Sequence, residues 1–269
     1  MNLLRCAHPE PALGVTGLAG VLALASGRGA GTFWVVTAVL AGQLFVGWTN
    51  DYLDRERDTK AERTDKPLPA GQVRPTTVRN AALIALVAAV PLSLASGVAA
   101  GAAHLSAVGA ATAYNLGLKT TPLSLLPYLF AFAMFPAFIT LGLPSHRLPP
   151  AWAVLAGSLL GGGAHFSQVL PDIEDDRRQN LLGLPQRLGA RTSAIVAALL
   201  LAAAAVAIAF GPSAHPLSLT IAALVASLLI VAAVLVAALV EQKKLAFRLT
   251  IVAAAAVVLS FLLSGRSLA

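Results

Sequence analysis

The chain has 269 residues, 57% of them hydrophobic and 12% charged, with a mean hydropathy of +0.78. A soluble domain carries about twice that charged share, so a water-soluble globular fold is excluded. A single cysteine, Cys6, excludes an internal disulfide framework, and the net charge of +7 follows a topological pattern rather than marking a nucleic-acid binder.

Apolar runs of about twenty residues, each enough for a ~30 Å hydrocarbon core, recur along the chain. They predict an all-α membrane protein of one domain, 1–269, with spans at 11–27, 32–50, 77–95, 98–117, 123–143, 151–170, 191–210, 216–240 and 245–264. No cleavage signal of the A-x-A kind is expected near the N-terminus. Glycine and proline punctuate the runs at Gly27 to Gly31, Pro67 to Pro75, Ser96-Gly97, Pro144 to Pro150 and Gly211-Pro212. The last three spans carry almost nothing polar and read as scaffold.

The basic residues test this count. With a cytoplasmic N-terminus and alternating sides, 16 of the 19 lysines and arginines fall on the cytoplasmic side. Only Arg28, Arg147 and Arg266 fall outside. That bias is the positive-inside pattern, so nine spans in the cell membrane are expected, with the charged loops facing the cytoplasm.

Of the twelve acids, six lie in 51–65 and four in 172–176, at the cytoplasmic ends of the second and sixth spans. Asn50, Asp54 and Asp58 step by four, while Asp51, Asp54 and Asp58 step by three and four, which places oxygen ligands on one helix face. Asp172 and Asp176 repeat the four-residue step. Clustered carboxylates need a cation between them. Hard oxygens without a Cys/His set favour Mg²⁺, which commonly binds through one or two carboxylates plus substrate phosphates. Interleaved Arg57, Lys60, Arg63, Lys66, Arg177, Arg178 and Arg187 supply charges for phosphate oxygens. A substrate with a diphosphate head and a hydrocarbon tail suits such a site above an apolar interior.

Polar residues inside spans are costly against lipid and are assigned to an inner wall. Gln43 shares a face with Asn50; His165, Gln168 and Asp172 form a stripe; Asn115 shares a face with Lys119 and His104. For the histidines an interhelical hydrogen bond competes with a chemical role. Tyr114 and Tyr128 read equally well as interface aromatics.

The motif from Asn50 to Asp58 followed by RTDKPLPAG (63–71) resembles the first signature of the UbiA superfamily of intramembrane prenyltransferases. DIEDD (172–176), with Gly189 thirteen residues after Asp176, is similar to the second. YNLGLK (114–119) resembles the element after the family's fourth helix, and LLRCAHPEPA (3–12), with Arg5, its N-terminal element. The resemblance implies nine helices around a central cavity, with a cytoplasmic cap from the loops after helices 2 and 6. It implies one Mg²⁺ at Asn50, Asp54 and Asp58 and another at Asp172 and Asp176, with Arg63, Lys66 and Lys119 on the diphosphate. Lys66 stands where the family usually has arginine. Asn180 and Leu182 stand where it often has glycine and lysine, so one diphosphate contact is either missing or supplied by Arg177, Arg178 or Arg187.

The implied activity is Mg²⁺-dependent transfer of a prenyl group from a prenyl diphosphate to an acceptor that the sequence does not identify. A UbiA-type terpene cyclase, acting on the diphosphate alone, would carry the same motifs. A carrier for anionic lipids is disfavoured by an outer side nearly free of charge.

Overall fold

Each long helix starts or stops where the side chains or backbone make it do so. Pro9 and Pro75 open two helices from the first turn, where a missing N–H costs nothing. Pro150 caps another, and Gly97, Gly117, Gly189 and Gly211 stand just beyond helix ends. The computed structural model describes residues 2–211 and 217–263. Residues 216 and 264, the predicted limits of two spans, lie outside them, as do Pro212 and Arg266.

Nine helices of fifteen or more residues occur among the described residues, and no strand. They are α1 (Pro9–Ala25), α2 (Thr32–Lys60), α3 (Pro75–Leu94), α4 (Val98–Leu116), α5 (Leu126–Thr140), α6 (Ala151–Gln168), α7 (Ala190–Phe210), α8 (Leu217–Leu239) and α9 (Lys243–Leu263). Five segments are long and apolar enough to cross a membrane: Gly29–Lys60, Pro75–Leu94, Pro122–Thr140, Ala151–Arg178 and Ala190–Phe210. Helix α4 is long enough but is diluted by His104, Tyr114 and Asn115.

Two boundaries differ from the sequence expectation, and both shape the site. Helix α2 runs 29 residues, about 43 Å, so it continues ten residues past its predicted end and carries the first aspartate motif on unbroken helix. Helix α6 stops at Gln168. Pro171, in the 3-10 turn Leu170–Asp172, has no N–H to extend it, and the second motif continues on a separate short helix, Ile173–Arg178. The stripe expected from His165 through Asp172 is therefore interrupted.

Successive helices pack as neighbours, and α9 returns against α1 and α6, closing a ring. Outward faces remain apolar: Ile84 and Val87 on α3 are 70% and 72% exposed. A helix apolar on both faces is one that meets lipid on the outside. Buried cores fill the ring's flanks, one beneath the N-terminal segment (Cys6, Trp48, Val78) and one between α7, α8 and α9 (Leu201, Val234, Ala246).

Candidate active site

A cavity of about 820 Å³ occupies the middle of the ring. Its described lining comes from α1, α2, α4, α5, α6, α7 and α9, and its mouth is formed by the two aspartate motifs and the short N-terminal helix Asn2–Arg5.

The first motif is a network of ion pairs. Lys119, from the turn after α4, places its Nζ 2.6 and 2.7 Å from the two carboxylate oxygens of Asp54 and 3.2 Å from Asn50 Oδ1. Arg57 reaches Asp54 at 2.8 Å and Asp58 at 3.3 Å. Lys66 joins Asp58 at 2.7 Å to Asp51 at 3.3 Å. Burial works against the charge on Lys66, but Asp51 and Asp58 outweigh it and hold its pKa above the ordinary lysine value. All three aspartates are buried, which only such pairing permits.

A Schellman turn brings the chain back over this face. Glu62 takes a left-handed φ of 52°, Arg63 N–H donates to the Asp58 carbonyl at 3.0 Å, and Glu62 N–H to Thr59 at 3.1 Å. Arg63 then pairs with both oxygens of Asp65, at 3.0 and 3.1 Å, and reaches Asp172 across the mouth at 3.6 Å. Those bonds hold the Asp65 carboxyl below its usual range.

The second motif ends on the same device. Asn180 has φ 58°, with Leu181 N–H donating to Asp176 and Asn180 N–H to Arg177. Glycine and asparagine are the residues that take this conformation most readily. The asparagine at 180 thereby serves the backbone turn.

Beyond the turn, Gly183 lies where a Cβ would stand 2.5 Å from the Lys119 carbonyl oxygen. Only a glycine lets the strand of chain lie this close. Leu184 N–H then donates to Ser124 Oγ, which also bonds His165 Nε2 at 3.1 Å. Two residues on, buried Gln186 donates to Asp176 Oδ2 at 2.8 Å.

The N-terminal segment is strapped to α2. Trp48 donates to the Leu3 carbonyl at 2.8 Å, and a Cβ at Gly47 would stand 2.5 Å from the Ala7 carbonyl oxygen. His8 Nε2 lies 3.0 Å from Asp51 Oδ1, and Arg5 donates to the Asp65 carbonyl at 3.0 Å. Asp51 is thus turned toward His8 and Lys66, apart from the Asn50–Asp54–Lys119 group.

The fold brings together most of the predicted site: Arg5, Gln43, Asn50, Asp51, Asp54, Asp58, Arg63, Lys66, Asn115, Lys119, Gln168, Asp172 and Asp176 all line the cavity. Asn115 also donates to the Val46 carbonyl, tying α4 to α2. Three predicted residues are placed elsewhere. His165 is buried behind the wall, bonded to Ser124 and packed on Tyr114 and Tyr128. Arg177 and Arg178 are exposed and do not line the cavity, because residues 177 and 178 follow Asp176 around the short helix to its solvent side. Arg178 pairs with Asp175 instead, at 3.5 Å. His8, Gln179 and Gln186 line the cavity without having been singled out, and Tyr114 and Tyr128 prove to be wall residues. Gln168 bonds the Tyr128 hydroxyl, and the two tyrosine rings meet edge to face at 5.1 Å.

Among the described residues no three His, Cys, Asp or Glu side chains converge as a protein-only metal cage. The oxygens present suit a hard cation all the same: Asn50 and Asp54 already surround one, the Lys119 ammonium. Such a set matches Mg²⁺ held by one or two carboxylates and completed by phosphate oxygens.

The fold has known counterparts. A UbiA homolog from Aeropyrum pernix K1, in its apo structure, superposes with a TM-score of 0.73 at 19% identity, covering 94% of this chain and 98% of that one. A UbiA homolog from Archaeoglobus fulgidus bound to GPP and Mg²⁺ gives 0.68 at 16% identity, with 96% and 99% covered. A structure of digeranylgeranylglyceryl phosphate synthase in membranes gives 0.67 at 17%, with 98% and 99% covered. These likenesses show the fold. No curated protein matches the chain. Residues 13–254 match the family described as the UbiA prenyltransferase family, so the chain belongs to that family.

Proposed function

We propose that the protein is a Mg²⁺-dependent intramembrane prenyltransferase, moving a prenyl group from a prenyl diphosphate to an acceptor at the cytoplasmic face of the cell membrane. The observation that carries this is the placement of Lys119, Arg57, Lys66 and Arg63 among five aspartates at the mouth of an apolar cavity. The Archaeoglobus homolog, bound to GPP and Mg²⁺ in the same fold, supports it.

Asn50, Asp54 and Asp58 would hold one Mg²⁺, and Asp172 and Asp176 a second. The metal, when bound, supplies positive charge to the leaving diphosphate. Lys119, Lys66 and Arg63 bind the phosphate oxygens left free, with Arg57 beside them. As the C1–O bond breaks, its electron pair leaves with the diphosphate and C1 becomes an allylic cation. The acceptor's electron pair then forms the new bond to C1, and the proton the acceptor loses passes to the released diphosphate or to water at the mouth. Hydrocarbon walls keep water from capturing the cation. Tyr114, Tyr128 and Gln168 stand just below the aspartates, where they orient the groups that meet at C1.

The topology goes with this reading: one domain, nine spans and a cytoplasmic N-terminus, capped by the loops after α2 and α6. Both motif loops gather at one end of the bundle, while Arg28, bonded to Ser96, marks the other.

The test is incubation of the purified protein with prenyl diphosphates, Mg²⁺ and a panel of acceptors, with products read by mass spectrometry. A prenylated acceptor is expected. Product formed from the diphosphate alone would assign the cyclase reaction, and no consumption under any condition would refute the proposal.

A further inference from the structure

Below the aspartates the cavity wall is mostly hydrocarbon, carried by residues such as Phe132 and Phe135 of α5, Leu160 of α6 and Leu201 of α7. Most polar side chains that interrupt it are committed to the protein. Asn115 donates to the Val46 carbonyl, Gln168 bonds Tyr128, and the Thr250 hydroxyl donates to the Ala246 carbonyl at 3.0 Å. Two groups are left over. The side-chain amide of Gln43, on α2, has no hydrogen-bond partner among the described residues, and neither has Nε2 of His104, on α4.

The surroundings of His104 fix the form of its free nitrogen. The ring stacks on Phe138 at 4.7 Å, and Nδ1 lies 2.8 Å from Ser93 Oγ. Ser93 Oγ stands 2.5 Å from the Ala89 carbonyl oxygen, which has no proton to give, so the serine donates there. The proton between Ser93 and His104 therefore sits on Nδ1, and Nε2 keeps its lone pair. That edge of the ring lies against Gly42, where a Cβ would stand 3.3 Å from Nε2 and from Cε1. Gly42, Gln43 and His104 all line the cavity, and His104 is 5% exposed. Helix α2 is unbroken from Gln43 to Asn50, so seven residues at 1.5 Å each set this pair about 10 Å beneath the mouth.

A prenyl tail offers these groups nothing. Covering an amide and an imidazole lone pair with hydrocarbon is unfavourable, whereas a ligand that hydrogen-bonds avoids the cost. The two groups also narrow the ligand. Nε2 only accepts, so its partner must donate. The Gln43 amide both donates and accepts, and a hydroxyl suits the two together. Ether and ketone oxygens cannot donate to Nε2, and a cation would enter an apolar cavity without a counter-charge.

We infer that Gln43 and His104 form a subsite for a hydroxyl group of the acceptor, so that this chain selects a phenol or alcohol whose hydroxyl sits at that depth. The inference rests on the prenyltransferase reading and adds to it a substrate class and two residues that select it. The new bond to C1 forms nearer the aspartates, so the subsite acts on acceptor binding and not on the ionisation.

The test uses full-length protein in lipid nanodiscs with two probe pairs: 1-naphthol against 1-methoxynaphthalene, and 1-dodecanol against its methyl ether. Mg²⁺ and a prenyl thiolodiphosphate, whose C–S bond resists ionisation, are present throughout, and binding is read as protection against thermal unfolding. Partitioning into the bilayer is common to all variants, so a change in the ratio within a pair reports the protein site. Wild type should bind the hydroxyl member of at least one pair about tenfold or more tighter than its ether, because the ether leaves a buried acceptor unpaired. Gln43→Met and His104→Phe hold the space and remove the polar groups, and each should cut that preference by about fivefold or more. Affinity for the thiolodiphosphate should be unchanged in both. Gln43→Met carries the test alone if His104→Phe does not fold. Equal binding within both pairs, or a preference that survives in every folded variant, would mean that the two groups hold only water. That result overturns the inference and leaves the prenyltransferase reading intact, since the thiolodiphosphate still binds. Failure to bind the thiolodiphosphate at any Mg²⁺ concentration overturns both.

Discussion

Lys119 Nζ lies 2.6 and 2.7 Å from the two carboxylate oxygens of Asp54, a residue 65 positions earlier in the chain. Both side chains are nearly buried, at 11% and 9% exposure. A buried charge stripped of every partner costs about 3–5 kcal/mol, and without Lys119 the Asp54 carboxylate keeps only Arg57, so a smaller loss is expected. Lys119→Met should therefore lower the stability of the protein and abolish turnover. The double variant Lys119→Met/Asp54→Asn should recover most of the stability and none of the activity. Thermal unfolding of both, beside a turnover assay, measures the two effects separately.

Gln186 holds Asp176 from the far side of a turn. Gln186→Leu keeps the volume and removes the donor, leaving Asp176 free to rotate away from the mouth. Partners of this kind typically matter by about 10–100-fold in metal affinity or activity. The concentration of Mg²⁺ or Mn²⁺ giving half-maximal activity should rise into that range. An unchanged metal dependence would show that Asp176 needs no such support.

Much of the fold was legible because apolar runs, glycine and proline report directly on helices. What escaped was set by contacts across the chain. Nine residues and a tight turn separate Gln186 from Asp176, and nothing in the sequence marks it beyond a polar residue between Pro185 and Arg187. Arg177 and Arg178 misled because adjacency along a chain says nothing about facing: one step around a helix turned them to solvent. Pro171 was visible in the sequence, and its consequence for a continuous His165–Asp172 stripe follows from the missing N–H. His8 passed without notice within LLRCAHPEPA, because its bond to Asp51 needed the fold.

The left-handed turn at Asn180 makes a prediction of its own. Asn180→Gly should be neutral or slightly stabilising, with activity intact. Asn180→Val places a β-branched side chain at positive φ and should cost about 1–2 kcal/mol or more. Donor affinity should be unchanged by the glycine variant, as measured by titration, because the position serves the backbone.

Membrane orientation is tested by reporter fusions. Reporters after Lys60 and Gln179 should lie in the cytoplasm, and those after Gly29 and Ser145 outside. An inversion downstream of any fusion would mean that a helix between the two points does not cross.

The central claim is that the two aspartate motifs act together on a prenyl diphosphate. Release of inorganic diphosphate from a prenyl diphosphate donor, followed with purified protein in nanodiscs with acceptor present, measures it most directly. Wild type should release diphosphate only with Mg²⁺ or Mn²⁺, and not with Zn²⁺, since the proposed ligands are hard oxygens. Asp54→Ala and Asp172→Ala should each reduce release to background while remaining folded in the membrane. Undiminished release by either variant, or by wild type after exhaustive chelation, would contradict the account.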